Sequence, residues 1–509
     1  MDALDNCIDR WRDLIVDWIA IRLHPLIIVQ QNADGIVWSL LTAYTKGFMD
    51  ALMIGVSGMR GTVGGTLTPA VLMQMSAAFA AWLKQTSPTG KPLKVAFGRD
   101  TRPSGPFVRD AVLATLHASG IQTIDLDIVT TPTVAIMTRL LEADAGIVAT
   151  ASHNPIDWNG VKLLTRDGVA PPGEAVKRIR ELYDAHESSY VRVAELQQPT
   201  RNMEGHSYHI RRVLELVDVL GISSKRFKVV LDSVNGAGCV PTHTLLSKLG
   251  CQVVHINGEP TGRFAHEPEP TEGNLGGLCS EVKRQRAVCG LAQDPDADRL
   301  AIVDEHGSYI GEEYTLALCA KWVLSKRKGI AVANLSTSRM LDDIAAENGA
   351  TVLRTPTGEA NVIEAMLKHN AIIGGEGNGG VIDPRVVPGR DSLTGIALIM
   401  QLMSATGKTI SQLVNEIPRY EIVKTKFPCG REDAERAVRA IHGAYARETI
   451  DMQDGIRIDF EAQRAWVNAR ASNTEPIMRI IAEAPEKSVG EKLIADVQSV
   501  VEAALQQPT

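Results

Sequence analysis

The sequence has no run of the roughly 18 apolar residues that a membrane-spanning helix needs, so no membrane partner is expected. It has no excess of positive charge: 53 Lys and Arg stand against 60 Asp and Glu, a formal net charge of −7, which argues against nucleic acid as the main partner. A local basic cluster could still oppose that sign and bind a small anion. Paired cysteines are lacking as well. The seven (Cys7, Cys239, Cys251, Cys279, Cys289, Cys319 and Cys429) are odd in number and scattered, with no C-x-x-C. That pattern is neither a disulfide framework nor a zinc site; it fits a reducing cytoplasm, with most thiols buried and inert. The first residues lack the basic region of a secretory signal, being interrupted by Asp2, Asp5, Asp9 and Asp13. Aromatic residues are few, at 5%, whereas 43 glycines are present. The balance favours an α/β protein with many tight strand-to-helix turns over an all-β sandwich.

A chain of 509 residues is too long for one core, and three or four domains of about 100–200 residues are expected. Residues 1–48, with "WRDLIVDWIAIRLHPLIIV" carrying Trp11 and Trp18, read as a helical extension of unknown role; the alternative is that translation starts at Met49 or Met53. From residue 49 the pattern is regular. "KVAFGRD" (94–100), "GPFVRDAVLATLHASG" (105–120), "IQTIDLDIV" (121–129), "TVAIMTRLL" (133–141) and "AGIVAT" (145–150) alternate strand and helix, the mark of a mostly parallel sheet. The order returns between "FKVVLDSVNGAG" (227–238) and "VCGLAQD" (288–294), and again between "GIAVANL" (329–335) and "AIIGGE" (371–376). The end differs, with alternating strands "GIRIDF" and "RAWVNAR" before a closing helix. The expected fold is therefore α/β, with three similar βαβαβ mixed-sheet domains (49–200, 201–307, 308–418) and a C-terminal α+β domain (419–509) around a central cleft.

In each repeat the third strand runs into a polar loop: "TASHNP", "DPDADR" and "GEGNGG". Ligands of open α/β sheets gather beyond the carboxyl ends of the strands, so three such loops could line one cleft. In "DPDADR", Asp294, Asp296 and Asp298 crowd three carboxylates into five residues, which repel one another unless a hard cation such as Mg²⁺ sits among them. A calcium EF-hand with Glu305 at its twelfth position is one alternative, although Arg299 stands where that turn requires glycine; a solvated acidic turn is another. Ser152 in "TASHNP" is a weak nucleophile alone, and neither an adjacent His153 nor any G-x-S-x-G elbow makes it a hydrolase serine. A phosphorylated Ser152 could complete the ligand set of an Asp-bound cation; an N-cap role is the plain alternative. "RASNTEPIMRI" (470–480) offers Arg470, Ser472, Asn473 and Thr474, groups suited to a phosphate dianion, or else an S-x-x-E capping turn. "VSGMRG" (56–61) adds a basic loop around Arg60.

Together the segments "SGMRG", "GRDTRPSG", "TASHNPIDWNGVK", "DPDADRL", "GGEGNGG" and "RASNTEP", in this order over about residues 50–509, resemble the α-D-phosphohexomutase family. The resemblance implies an intramolecular phosphotransferase that interconverts hexose 6-phosphates and hexose 1-phosphates through a bisphosphorylated sugar. It implies that Ser152 is the phosphorylated nucleophile and that Asp294, Asp296 and Asp298 hold Mg²⁺ with the Ser152 phosphate. Arg60, His153 and Lys162 would surround the transferring group. Glu376 and Asn378 would grip sugar hydroxyls, with Arg299, Thr357 and Gly358 as further substrate contacts. Arg470, Ser472, Asn473 and Thr474 would hold the distal phosphate. A hexose 1,6-bisphosphate activator, a cytoplasmic location and a monomer or homodimer are also implied.

One departure stands out. Many members carry Glu-x-Ser-Gly/Ala-His in the sugar loop, whereas Asn378 and Gly380 occupy the serine and histidine positions here. With "SNTEP", this loop resembles an archaeal-type branch of phosphoglucosamine mutases and phosphomannomutases. Glucosamine phosphate is the expected substrate, and mannose or glucose phosphate the alternatives. A non-catalytic sugar-phosphate sensor and a phosphatase on the same scaffold are the competing classes.

Overall fold

The computed structural model describes residues 52–55, 58–87, 91–471 and 477–506, all within one compact unit, Asp50–Thr509. The expectations for residues 1–48, Cys7, Ser472, Asn473 and Thr474 lie outside the described residues.

Three sheets repeat one plan. In the first, Ala145–Ala149, Lys94–Arg99 and Gln122–Ile128 lie side by side and parallel. "AGIVA" is buried along its whole length, as a central parallel strand covered on both faces must be. The chain then turns through the serine loop and comes back antiparallel as Trp158–Thr165, which carries Gly58–Thr62 and Met53–Gly55 beyond it. The second sheet sets Gln252–Ile256, Lys228–Asp232 and Cys289–Gln293 parallel, and closes with an antiparallel Leu300–Val303. The third sets Thr351–Thr355, Ile330–Asn334 and Ile373–Glu376 parallel, with an antiparallel Gly380–Ile382. The three polar loops are thus the tips of hairpins, each joining the third parallel strand to its return strand. The mixed-sheet expectation holds, and the return strands are what the parallel-sheet pattern left out.

The fourth sheet is antiparallel throughout, in the order Glu421–Pro428, Ile477–Ala484, Ala465–Ala471, Ile456–Phe460, Thr449–Asp451. The helix Lys487–Gln506 packs on it through Leu493, Ile494, Val497 and Val501, one face of a 3.6-residue period.

The first three sheets share a core. Val134, Leu231, Leu300 and Leu398 fall in one apolar cluster, although they come from three repeats. Its centre is the helix Ser392–Thr406, buried from Ser392 to Met403. "SLTGIALIMQLM" has no polar face because the helix meets protein on every side. Asp391 caps it by accepting from the backbone N–H groups of Leu393 and Thr394. Its first residue reaches the acidic loop: Ser392 Oγ donates to Ala297 O at 2.6 Å, and Gln293 Nε2 donates to Ser392 Oγ at 2.6 Å. The helix Thr131–Leu140 is started by Thr130, whose side chain accepts from Thr133 N, with Pro132 in the first turn. That start fixes Thr131 against the acidic loop as well.

Cys239, Cys289, Cys319 and Cys429 are buried and free, and burial pushes the Cys239 thiol up to about 12, in keeping with inert thiols. No helix among the described residues is long and apolar enough to cross a membrane.

Candidate active site

The serine loop is built around one buried guanidinium. Arg102 is fully buried and donates to four backbone carbonyls of the loop: Nη2 to Ser152 O and Asn154 O at 2.7 and 2.6 Å, Nη1 to Pro155 O and Trp158 O at 2.6 and 2.9 Å. Its Nε donates to Asp100 Oδ2 at 3.1 Å, and Thr150 Oγ1 donates to the same oxygen at 2.6 Å. Every donor of the planar fork is aimed. The loop so held carries Ser152 at φ 50, in the left-handed region that a non-glycine residue rarely occupies, with Ser152 N donating to Thr150 Oγ1. Such strain persists only where the surroundings over-determine it, and it clusters at functional sites. Arg60, on the strand Gly58–Thr62, donates from Nη1 to Asn154 Oδ1 at 3.0 Å and so flanks the same loop.

The consequence of that posture is a contact between sheets. Ser152 Oγ donates to Asp294 Oδ2 at 3.0 Å, and His153 Nδ1 lies 3.4 Å from Ser152 Oγ. Asp294, Asp296 and Asp298 are all buried. A carboxylate oxygen from each lies within 4.8 Å of the others. The acidic loop folds on itself, Asp294 Oδ1 accepting from Asp298 N and Arg299 N, both at 3.1 Å, with Ala297 between them at φ 55.

Charges around the trio are divided. Lys162, from the return strand, donates to Asp296 Oδ2 at 2.7 Å and Asp298 Oδ2 at 3.2 Å. Burial works against its charge, but the two carboxylates raise it above the usual lysine range. Burial likewise opposes ionisation of Asp298, yet Arg390, Lys162 and Arg299 hold it well below the usual carboxylate range. Asp294 is pushed up, by burial and by Asp298 and Asp296. Burial, together with the Arg299 and Arg60 guanidiniums, lowers His153 to about 3, so its imidazole is neutral near pH 7.

Asp296 Oδ1 and Asp298 Oδ1 are buried with no hydrogen-bond partner among the described residues. Buried carboxylate oxygens are seldom left bare, and an all-oxygen set of three carboxylates suits a hard divalent cation. The trio could hold a metal. The EF-hand alternative fails on geometry, because strands flank the loop and Glu305 turns away to Ser411, whose backbone N donates to Glu305 Oε2 at 3.2 Å.

In the third repeat, Glu376 Oε1 accepts from Asn334 Nδ2 at 2.9 Å and Glu376 Oε2 from Arg390 Nη1 at 2.8 Å. Asn378 Nδ2 lies 3.5 Å from the same Oε2. Arg299 Nη1 donates to Glu269 Oε1 at 3.0 Å. Farther along, Thr357 N donates to Asp454 Oδ2 at 3.0 Å, and Arg470 Nη1 is 3.9 Å from that oxygen. The turn continues through Gly358 at φ 121. The structure thereby brings Thr357 and Gly358 of the third repeat to Arg470 of the fourth domain.

Sequence reasoning missed Arg102, Thr131 and Arg390. Arg102 lies in "GRDTRPSG", which carried part of the resemblance but no role. Thr131 Oγ1 donates to Asp296 Oδ2 at 2.6 Å and Thr131 N to Asp296 O at 3.0 Å; its only signal was a threonine–proline helix start. Arg390 joins Asp298 to Glu376, its Nη2 donating to Asp298 Oδ2 at 2.7 Å. "PGRDS" stands outside all three repeat loops, so nothing local marked it.

Comparison with known proteins accounts for nearly all of the described chain. Residues 51–190, 207–307 and 312–420 match the phosphoglucomutase/phosphomannomutase alpha/beta/alpha domains I, II and III, and residues 425–500 match the C-terminal domain of the same proteins. A phosphoglucomutase/phosphomannomutase of Thermococcus kodakarensis is 40% identical over 440 residues, 85% of this chain and 94% of that protein. A probable phosphoglucosamine mutase of the same organism is 33% identical over 459 residues, 89% of this chain and 99% of that one. Among solved structures, a phosphoglucomutase/phosphomannomutase family protein from Burkholderia thailandensis shares the fold with a TM-score of 0.78 at 24% identity, covering 90% of this chain and 99% of that one.

Proposed function

Because the chain belongs to the phosphoglucomutase/phosphomannomutase family, whose members are phosphotransferring mutases, we propose that it interconverts hexose 6-phosphates and hexose 1-phosphates through a phosphorylated Ser152 and a bisphosphorylated sugar. The observation that carries this reading is the 3.0 Å contact of Ser152 Oγ with Asp294. It puts the hydroxyl to be phosphorylated at the edge of a buried acidic trio able to hold a cation.

Asp294, Asp296 and Asp298 would hold Mg²⁺, which when bound neutralises the charge of the transferring phosphate. The chain's own residues do the rest. In each transfer the Oγ–P bond of Ser152 breaks as a sugar oxygen–phosphorus bond forms, or the reverse. The sugar hydroxyl gives up its proton, and the neutral His153 Nδ1, 3.4 Å from Ser152 Oγ, is placed to accept one. Lys162, Arg60 and Arg299 supply the basic side chains that would face the same phosphate. Such transfers need positioning and charge neutralisation more than covalent help. Glu376 and Asn378 orient the sugar, and Thr357, Gly358 and Arg470, with Ser472, Asn473 and Thr474, hold the phosphate that stays. Fixing both ends of the substrate is worth up to about 7–11 kcal/mol of the barrier. A hexose 1,6-bisphosphate primes Ser152.

For the hexose, glucose and mannose phosphates are favoured. The 40%-identical relative is named for both sugars. The second reading, glucosamine phosphate, is supported by the sugar-loop pattern and by the 33%-identical relatives. A coupled assay offering glucose, mannose and glucosamine 1-phosphates to the wild type and to Ser152→Ala tests both levels. Turnover of the first two ahead of the third, lost in Ser152→Ala, is expected. Faster turnover of glucosamine phosphate would move the substrate to the second reading, and full activity in Ser152→Ala would end the mutase mechanism.

A further inference from the structure

Gly380 stands at the start of a return strand, in backbone that other residues could adopt, so its lack of a side chain needs another cause. A Cβ at Gly380 would lie 2.9 Å from Arg390 Cγ and closer still to Cδ. The room a side chain would take at 380 is filled by the stem of Arg390. The guanidinium at the end of that stem is buried and spans two loops, with Nη1 on Glu376 Oε2 at 2.8 Å and Nη2 on Asp298 Oδ2 at 2.7 Å. Glu359 adds a third carboxylate, accepting from Arg390 N at 2.9 Å and lying 3.5 Å from Nη2.

We propose that Arg390 is a positioning residue of the mutase site, whose stem fills the space beside Gly380 and whose guanidinium ties the sugar-gripping Glu376 to Asp298 of the acidic trio. The inference rests on the mutase reading above. An ammonium can bridge two carboxylates, as Lys162 does, but only a planar fork also fixes their relative direction. With Arg390 in place, Glu376 can turn toward a sugar hydroxyl only along a line set by the acidic trio. The distance between the gripped hydroxyl and the transferring phosphate is then held by one side chain. Glycine at 380 and arginine at 390 form a matched pair: a histidine at 380 and this arginine exclude each other.

Four variants test the pair, each checked for folding by circular dichroism and melting temperature: Arg390→Met, Arg390→Lys, Gly380→His, and the double variant Gly380→His with Arg390→Ala. kcat and KM are measured separately, with glucose 1,6-bisphosphate as activator. For folded Arg390→Met, kcat is expected to fall by about 100-fold with a much smaller change in KM, since misplacement of reacting groups by about 1 Å has that effect. Arg390→Lys should recover only part of the loss. Gly380→His alone should be poorly folded or inactive, and the double variant should exceed both Gly380→His and Arg390→Met in kcat. A folded Arg390→Met whose kcat stays within about threefold of wild type overturns the proposal. If Arg390→Met does not fold, the double variant decides: activity above Gly380→His supports the pairing, and activity no higher overturns it. Failure here differs from failure of the mutase reading, because in the latter the wild type itself would neither carry phosphate on Ser152 nor turn over a hexose phosphate.

Discussion

Ser152 and Asp294 lie in loops of different sheets, yet Ser152 Oγ donates to Asp294 Oδ2 at 3.0 Å. The serine reaches that place because Arg102 holds the carbonyls of Ser152 itself and of Asn154, while Asp294 is held by the backbone N–H groups of Asp298 and Arg299. Two loops, each over-determined by its own hydrogen bonds, meet at one oxygen.

The buried fork of Arg102 should be indispensable to that meeting. Arg102→Ala leaves four carbonyls without their donor and Asp100 as an uncompensated buried charge. Breaking a buried pair from one side costs about 3–5 kcal/mol. Chemical denaturation should show a loss of that order, and phosphorylation of Ser152 in the surviving folded fraction should be slow.

Removing one hydroxyl should affect cation dependence more than folding. Thr131→Val deletes the donor to Asp296 Oδ2 but leaves the shape of the helix start. Asp296 Oδ2 keeps its bond from Lys162, so stability should fall by about 1.5–3 kcal/mol, the worth of one hydrogen bond to a charged group. The Mg²⁺ concentration for half-maximal activity should rise, with little change in KM for the sugar phosphate. An unchanged Mg²⁺ requirement would mean that Asp296 needs no help in facing the cation.

The acidic trio should also register the cation without any turnover. Two of its buried oxygens, Asp296 Oδ1 and Asp298 Oδ1, have no partner among the described residues. Mg²⁺ binding to the folded state alone should raise the melting temperature in proportion to its excess over the dissociation constant. Chelation should reverse the rise, and Asp296→Asn should abolish it.

Acidity at the back of the sugar loop gives a pH test. Glu313 lies against Gly377, where a Cβ would overlap its carboxylate, and Ser338 N donates to Glu313 Oε2 at 3.0 Å. Burial pushes Glu313 up to about 8, above its unfolded value, despite that hydrogen bond. Its contribution to stability is therefore complete below the unfolded pKa and is lost as pH rises through about 8. The melting temperature should fall across that window in the wild type and fall less in Glu313→Gln.

Much of the arrangement was legible in the chain. The three strand-then-polar-loop repeats pointed to Ser152, Asp294, Asp296 and Asp298 and to the loop that carries Glu376 and Asn378, whose roles came from the resemblance, because loop chemistry is local and sits where α/β sheets bind ligands. Lys162 was reachable only through the resemblance, since nothing in "NGVK" says that the strand turns back on the serine loop. Arg102, Thr131 and Arg390 stayed hidden for one reason. Arg102 acts on carbonyls 50–56 positions away, Thr131 on Asp296 165 positions away and Arg390 on Asp298 92 positions away, through contacts that only the packed fold creates. The central helix Ser392–Thr406 was unread for a related reason: its uniform apolarity has no period to set it against a strand or a surface helix.

The mass of the intact purified protein, before and after incubation with glucose 1,6-bisphosphate and Mg²⁺, tests the central claim most directly, with peptide mapping to locate any gain. One phosphoryl group on Ser152, removed by hexose 6-phosphate and never acquired by Ser152→Ala, is the predicted result. A wild-type protein that stays unphosphorylated while turning over hexose phosphates, or that carries its phosphate on another residue, would contradict the account.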